Sequence, residues 1–307
     1  MANDQGVCRV SSANAKPPPW YLAAMGRHVV RSSIEVAGAE IAYAVWPASS
    51  PASGDPGLLL IHGTYANQYW WDHIAGQLDH ARQVVAIDLS GHGDSGHRDT
   101  YELAIWADEV RAVLAATGLD RRPAHVVGHS LGGVVAAVAA TDGSSPIRSV
   151  AMCESIRDPQ ASQHPLMVPR ARRVYPDRAS ALARFRTIPP GVETVPYVVG
   201  YVAAKSIAQV DGGWTWKHDL NVGSDVQPKM PRLDQVIAGV TCPMAVMVGE
   251  HGLVDARDVE MMMSAGAGRL RAARIPTAGH HLPLEAPQGF ATAIERFVDE
   301  VETLTTR

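Results

Sequence analysis

The chain has 307 residues, of which 46% are hydrophobic and 19% charged, and carries a formal net charge of −4. That length buries a sizeable core in one large domain and leaves room for an insertion. The weakly acidic balance provides no basic stripe for nucleic acid or an anionic membrane surface, so a neutral or mildly polar small molecule is the better-suited partner.

Residues 1–27 read as an N-terminal tail: Asp4 comes early, no apolar stretch follows, and Pro17-Pro18-Pro19 interrupts any helix, so neither a signal peptide nor an anchor is indicated. No run reaches the roughly 18 uninterrupted apolar residues of a membrane span. Residues 28–46 hold two β-rich runs around Ala37-Gly38-Ala39, with alternation at Ile41, Tyr43 and Val45, which predicts an antiparallel hairpin at a sheet edge. The Pro/Ser/Gly-rich stretch 47–57 reads as a surface loop. The runs 58–61, 84–87, 124–127 and 244–248 are continuously apolar, as in strands buried on both faces. Helical patterns separate them. The clearest is 102–117, with Leu103, Trp106, Val110, Val113 and Leu114 at helical spacing and Gly118 as a stop. Strands alternating with helices predict an α/β fold with a mostly parallel sheet.

The loops after these strands carry the chemistry. His62-Gly63-Thr64-Tyr65 follows the first central strand, and its Gly allows backbone to approach closely. Asp88-Leu89-Ser90-Gly91-His92-Gly93-Asp94-Ser95 ends the next and matches no phosphate-loop pattern. There Asp88 is expected to cap local N–H groups and His92 to be a packed or solvated loop residue. The run 124–127 then breaks into Gly128-His129-Ser130-Leu131-Gly132 and continues as the small-residue stretch 134–140. A strand, a sharp turn and a helix are the setting that exposes a nucleophilic serine. Ser130 at the helix start would have the N–H of Leu131, and across the site that of Thr64, available to an oxyanion.

Together with Gly279-His280 and Leu284-Glu285-Ala286-Pro287, these motifs resemble the ordered signposts of the α/β-hydrolase superfamily over about residues 28–154 and 236–307. The resemblance implies an α/β-hydrolase fold: a mostly parallel eight-stranded sheet flanked by helices, a nucleophile elbow, and a Ser…acid…His triad. The family places the base directly after the Gly, which selects His280 over His281. Its acid commonly sits fourth in a G-x-x-D turn, but Gly249-Glu250-His251-Gly252 has Gly there. Asp255 and Glu250 are nearby carboxylates, yet Asp255 reads as the N-cap of a helix over Ala256–Ala265. Zearalenone-type lactone hydrolases carry their acid at the tip of the preceding strand, in a similar Met-Cys-x-Glu ending. Here Cys153-Glu154 brings the Glu one residue sooner, so Glu154 is the favoured acid, Asp255 the alternative, and a salt bridge with Arg157 the structural role open to Glu154.

Residues 155–235 lose the strand pattern and lie where the family inserts a helical cap. Trp214, Trp216, Tyr65 and His129 are candidate substrate contacts, though cap aromatics also serve as packing, and Trp70 and Trp71 suit the start of a helix. Arg170, Arg172, Arg173, Arg178, Arg184 and Arg186 read as a solvated face. The histidines lack H-E-x-x-H spacing, so no metal is expected, nor any cofactor. Cys8, Cys153 and Cys242, odd in number and without C-x-x-C spacing, suit reduced thiols in a cytoplasm. The reading is a serine hydrolase cleaving a carboxylic ester or lactone, with a homodimer left open. A C–C bond hydrolase, a cofactor-free perhydrolase and a receptor-like binding protein of the same fold are the alternatives.

Overall fold

The structure is a computed structural model that describes residues 16–50, 56–155, 172–226 and 230–305. The start of the expected tail, Cys8, Arg157 and Arg170 lie outside the described residues. In chain order the elements begin with helix α1 (Pro19–Met25), the hairpin strands β1 (Val30–Val36) and β2 (Ala39–Trp46), and β3 (Leu58–Ile61). A 3-10 turn (Gln68–Trp70), α2 (Asp72–Ala75), β4 (Val84–Ile87), α3 (Leu103–Ala116), β5 (Ala124–His129), α4 (Leu131–Ala140) and β6 (Ile147–Cys153) follow. An insertion then carries α5 (Arg178–Leu182), α6 (Pro196–Lys205), a separate hairpin of β7 (Ile207–Val210) and β8 (Gly213–Trp216), and α7 (Asn221–Val226). The chain returns through α8 (Leu233–Gly239), β9 (Met244–Gly249), α9 (Ala256–Ala265), β10 (Leu270–Ile275), α10 (Leu282–Glu285) and α11 (Pro287–Thr305).

The main sheet has eight strands in the order β1-β2-β4-β3-β5-β6-β9-β10. Its hairpin turns at Ala37 (φ 47°) and Gly38 (φ 81°), β2 meets β4 antiparallel, and from β4 onward every pairing is parallel. Every residue of β3, β4 and β5 is buried, which is why their sequences alternate nowhere. One face is covered by α3 and α4, through Trp106, Val110, Leu114 and Val134. The other carries α2 and α11, through Trp71, Ile74, Phe290 and Ile294.

The expected tail needs correction at its end. Pro19 occupies the first turn of α1, where its missing N–H costs nothing, so the prolines start a helix instead of preventing one. Tyr21 and Ala24 of α1 are buried. The Ala24 carbonyl oxygen passes so close to Gly76 that a Cβ there would lie 2.1 Å from it.

Within the insertion, Phe185, Val198, Val199 and Val202 form a third cluster with Tyr21, Trp70 and Leu284, which fastens the insertion to the core beside the 3-10 turn and α10. Arg172, Arg173, Arg178, Arg184 and Arg186 are all exposed.

Candidate active site

The crossing from β5 into α4 is built by exclusion of volume. A Cβ on Gly128 would lie 2.1 Å from the Gly132 carbonyl oxygen, and one on Gly132 would lie 2.4 Å from that of Ile61. Only glycine at both places lets the strand and helix close on each other. The residue between them takes the strain: Ser130 has φ 54° and ψ −119°, a left-handed conformation that a non-glycine residue holds only when its surroundings force it. Its N–H donates to the Cys153 carbonyl at 2.7 Å, and the Ser155 hydroxyl donates to its carbonyl at 2.8 Å, so the tip of β6 locks the turn.

Leu131 is the first residue of α4, and its N–H has no partner within the helix. Across from it runs the loop after β3. A Cβ on Gly63 would lie 3.1 Å from the Ser130 Cβ, so this loop, which continues into Thr64, packs against Ser130. His62 pins that loop: its Nε2 accepts from the Leu89 N–H at 3.1 Å, which leaves Nδ1 to donate to the Gly63 carbonyl at 2.8 Å. Asp88 and His92 take the structural places expected of them. Asp88 accepts from the Gln68 N–H (2.6 Å), the Gln68 side chain (2.8 Å) and the Asp94 N–H (2.9 Å), and burial pushes its carboxyl up to about 6. His92 is buried between His62, with ring centroids 4.7 Å apart, and Trp106, at 5.7 Å.

His280 Nδ1 lies 3.3 Å from Glu154 Oε2, both residues being buried. Glu154 sits just past β6 with φ 51°, and its carboxylate also accepts the N–H groups of Gly249 and Leu253, each at 2.8 Å. The space it fills is the one glycine leaves open in the turn after β9: a Cβ on Gly252 would lie 2.0 Å from Glu154 Oε1. The two other carboxylates are occupied elsewhere. Asp255 caps α9, accepting from Arg257 N–H (2.8 Å) and Asp258 N–H (2.9 Å), and Glu250 accepts from Thr277 N–H (2.9 Å) at the surface.

His281 turns away from Glu154, donating from Nε2 to the Pro189 carbonyl at 2.8 Å, and burial holds its pKa down to about 3. His129 lies beneath the same loop. Its Nε2 donates to the His280 carbonyl at 2.7 Å, and burial, reinforced by the neighbouring imidazoles of His280 and His281, holds it well below the ordinary histidine range. A substrate contact was the expectation for His129; the contact seen is one that positions His280.

Of the aromatic candidates, Tyr65 (φ 60°) lies tilted against His218 of the insertion at 4.6 Å, so it joins the loop after β3 to the inserted segment. Trp216 packs on Phe185 (6.0 Å) and Tyr175 (6.5 Å), and Trp214 pairs its backbone with that of Tyr175. Those contacts are packing within the insertion. Trp71 caps α2 and is fully buried, but Trp70, expected to be packing, also reaches the site, stacked on the His129 ring at 6.3 Å and tilted against that of His281 at 5.9 Å.

Sequence reasoning missed Glu285. Its carboxylate accepts the N–H groups of Gly279 (2.7 Å), His281 (3.1 Å) and, from the insertion, Val192 (3.0 Å), so it clamps the His280 loop, and burial raises its pKa. The signal was present in Leu284-Glu285-Ala286-Pro287, which marked a family without revealing this job. Also missed was the meeting of His129 with His280 and His281, since 151 residues separate the first two along the chain.

Known proteins share this arrangement of elements. Pimeloyl-acyl-carrier-protein methyl ester esterase of Neisseria meningitidis serogroup B is 35% identical over 96 residues, 31% of this chain and 35% of that enzyme. N-formylmaleamate deformylase of Pseudomonas putida is 24% identical over 263 residues, 79% of this chain and 88% of that enzyme. The chain covers only about a quarter to a third of the length of the curated relatives it matches at 35–40% identity. The solved structure of E-2-(acetamidomethylene)succinate hydrolase superposes with a TM-score of 0.76 at 21% identity, covering 89% of this chain and 100% of that one, a likeness of fold. The model of the alpha/beta hydrolase family matches residues 58–293, and with the sheet order and strained elbow described above this chain belongs to that family.

Proposed function

We propose that this protein is a serine hydrolase that cleaves the carboxylic ester or lactone of a small, partly hydrophobic molecule through an acyl-enzyme. The observation that carries the reading is the buried His280–Glu154 pair, 3.3 Å apart, in a chain whose elbow holds Ser130 strained at the head of a helix. In the reaction, Ser130 Oγ attacks the acyl carbon while His280 Nε2 takes its proton. Glu154 keeps the other imidazole proton on Nδ1 and stabilises the imidazolium that forms. The N–H groups of Leu131 and Thr64 receive the oxyanion, a contribution of about 10²–10³ in rate per donor in comparable sites. His280 then protonates the departing alkoxide, and water, activated by the same imidazole, releases the acid and restores Ser130. These steps use only side chains of this chain, its backbone and water.

The insertion acts in this reading as a cap over the site, with the Tyr65–His218 contact as one wall. A second reading, removal of an N-formyl group by the same nucleophile, is favoured by the deformylase relative, whose match extends over 79% of this chain.

The test is labelling with a fluorophosphonate followed by peptide mass spectrometry, alongside turnover of nitrophenyl esters, lactones and N-formyl compounds. Ser130 is the expected labelled residue, and Ser130→Ala should abolish both label and turnover. Folded protein left unlabelled at Ser130 would overturn the reading in favour of a receptor-like binding protein.

A further inference from the structure

The fold gathers His129, His280 and His281 so that one imidazole nitrogen of each lies within 4.8 Å of the other two, all three residues being buried. Hydrolysis as proposed needs only His280. The tautomers of the other two are set by their partners. A carbonyl oxygen only accepts, so His129 (to the His280 carbonyl, 2.7 Å) and His281 (to the Pro189 carbonyl, 2.8 Å) carry their protons on Nε2. Each Nδ1 is therefore left with an unused lone pair, and both are buried with no hydrogen-bond partner among the described residues. The His129 Nδ1 and Ser130 Cβ both lie beside Gly63, 3.0 and 3.1 Å from the point where a Cβ of that glycine would stand. His280 meets Glu154 through Nδ1 and keeps the lone pair of Nε2.

Neutral imidazoles whose second nitrogen donates to a carbonyl or carboxylate are the form in which histidine binds metals. We propose that His129, His280 and His281 form a site for one divalent transition-metal ion of the zinc class, which shuts the hydrolase off by occupying the imidazole that serves as base. Imidazole nitrogen selects zinc, copper or nickel over magnesium and calcium. Size is compatible: one nitrogen of each ring lies within 4.8 Å of one nitrogen of the other two, a spacing whose common centre is no more than about 2.8 Å from each, and ring rotations that turn the free lone pairs to that centre bring them toward the ~2.0–2.1 Å of a Zn–N bond. The step is coordination alone, a lone pair from each ring to the ion, with no change of oxidation state. Inhibition rests on the serine-hydrolase reading; binding does not.

The experiment titrates chelator-stripped protein with Zn²⁺ by calorimetry, with Co²⁺ by visible absorption, and follows ester turnover in the same samples. The expected result is one ion per chain, Co²⁺ bands of nitrogen coordination, turnover lost as the site fills and recovered with EDTA, and binding weakened at least ~10-fold in both His281→Gln and His129→Gln. Absence of stoichiometric binding in the wild-type protein, or unchanged affinity in the folded variants, overturns the site. Binding lost in both variants while the saturated wild-type protein turns over fully overturns the inhibition and keeps the site. A chain that binds the ion as expected but turns over no substrate even when stripped instead counts against the hydrolase reading.

Discussion

Glu154 and Gly252 share one volume, and that sharing decides where a carboxylate facing His280 can stand. The family's commonest acid would project from position 252, but a Cβ there would meet Glu154 Oε1 at 2.0 Å, so each occupant excludes the other. Glu154→Gln keeps one acceptor oxygen but turns an NH₂ toward a backbone N–H, either Gly249 or Leu253, and removes the charge that stabilises the imidazolium. It should lower kcat by about 10²–10⁴ and stability by about 1–3 kcal/mol. Asp255→Ala should cost about 1 kcal/mol of urea stability through its lost cap while leaving kcat close to wild type. The reverse pattern in the two variants would move the acid to Asp255. The shared volume adds a sharper test: Gly252→Asp should be damaging beside Glu154, yet should restore turnover to Glu154→Gly, a coupling that a double-mutant cycle measures. Strictly additive losses would show that the two positions do not exchange the role. From sequence, Ser130 and His280 stood out as candidates because turn chemistry surrounds them. The pairing of Glu154 was a matter of position only, and the lone pairs of His129 and His281 depend on carbonyls that no motif reveals.

Among the elements, those that read clearly were the ones whose own composition dictates them. The continuous apolar runs became the central strands, and the 3.6-residue spacing of Trp106, Val110 and Val113 became α3. Sheet order was illegible, because β2 beside β4 and β3 beside β5 depend on chain crossings. The place of the insertion was legible but its elements were not: α5 has five residues and α7 six, lengths that have no stability of their own and exist through packing. The elbow, by contrast, is a local steric device and gives a local prediction. Gly132→Ala places a Cβ against two carbonyls, at 2.4 and 2.5 Å, in backbone that cannot yield without parting strand from helix. It should cost about 3 kcal/mol or more, or leave no folded protein. Gly143→Ala, where no atom stands within 4 Å of the added carbon, is the control and should stay within ~0.5 kcal/mol of wild type by urea unfolding. Equal stability of the two variants would mean that the closeness of β5 and α4 is not what shapes the turn.

At the scale of the whole molecule, buried histidines govern how the fold responds to acid. Burial holds His62, His73 and His125 down to about 4 and His92 well below its ordinary value, with Glu302 opposing the shift at His125. A folded pKa below the unfolded value of about 6.5 means that the unfolded chain takes up protons first as pH falls. Stability from these four residues is therefore present above pH ~6.5 and drains away as pH drops toward 4. Asp88 acts in the opposite sense: its carboxyl, pushed up to about 6, is protonated in the folded chain before the unfolded one and offsets part of one histidine's loss. Between pH 7 and 5.5 each of these four histidines should cost about 1 kcal/mol, so that with the Asp88 offset they lose on the order of 3 kcal/mol. His129, His218 and His281, also held low by burial, add to the loss in the same sense. Urea midpoints in chelated buffer should fall accordingly across that window. His73→Gln, whose amide can still reach the Pro283 carbonyl that His73 Nε2 now holds at 2.7 Å, should make the fall shallower by close to one proton's worth. Midpoints that stay level, or that rise on acidification, would show that these imidazoles take up protons inside the fold and that the buried network is more hydrated than its geometry implies.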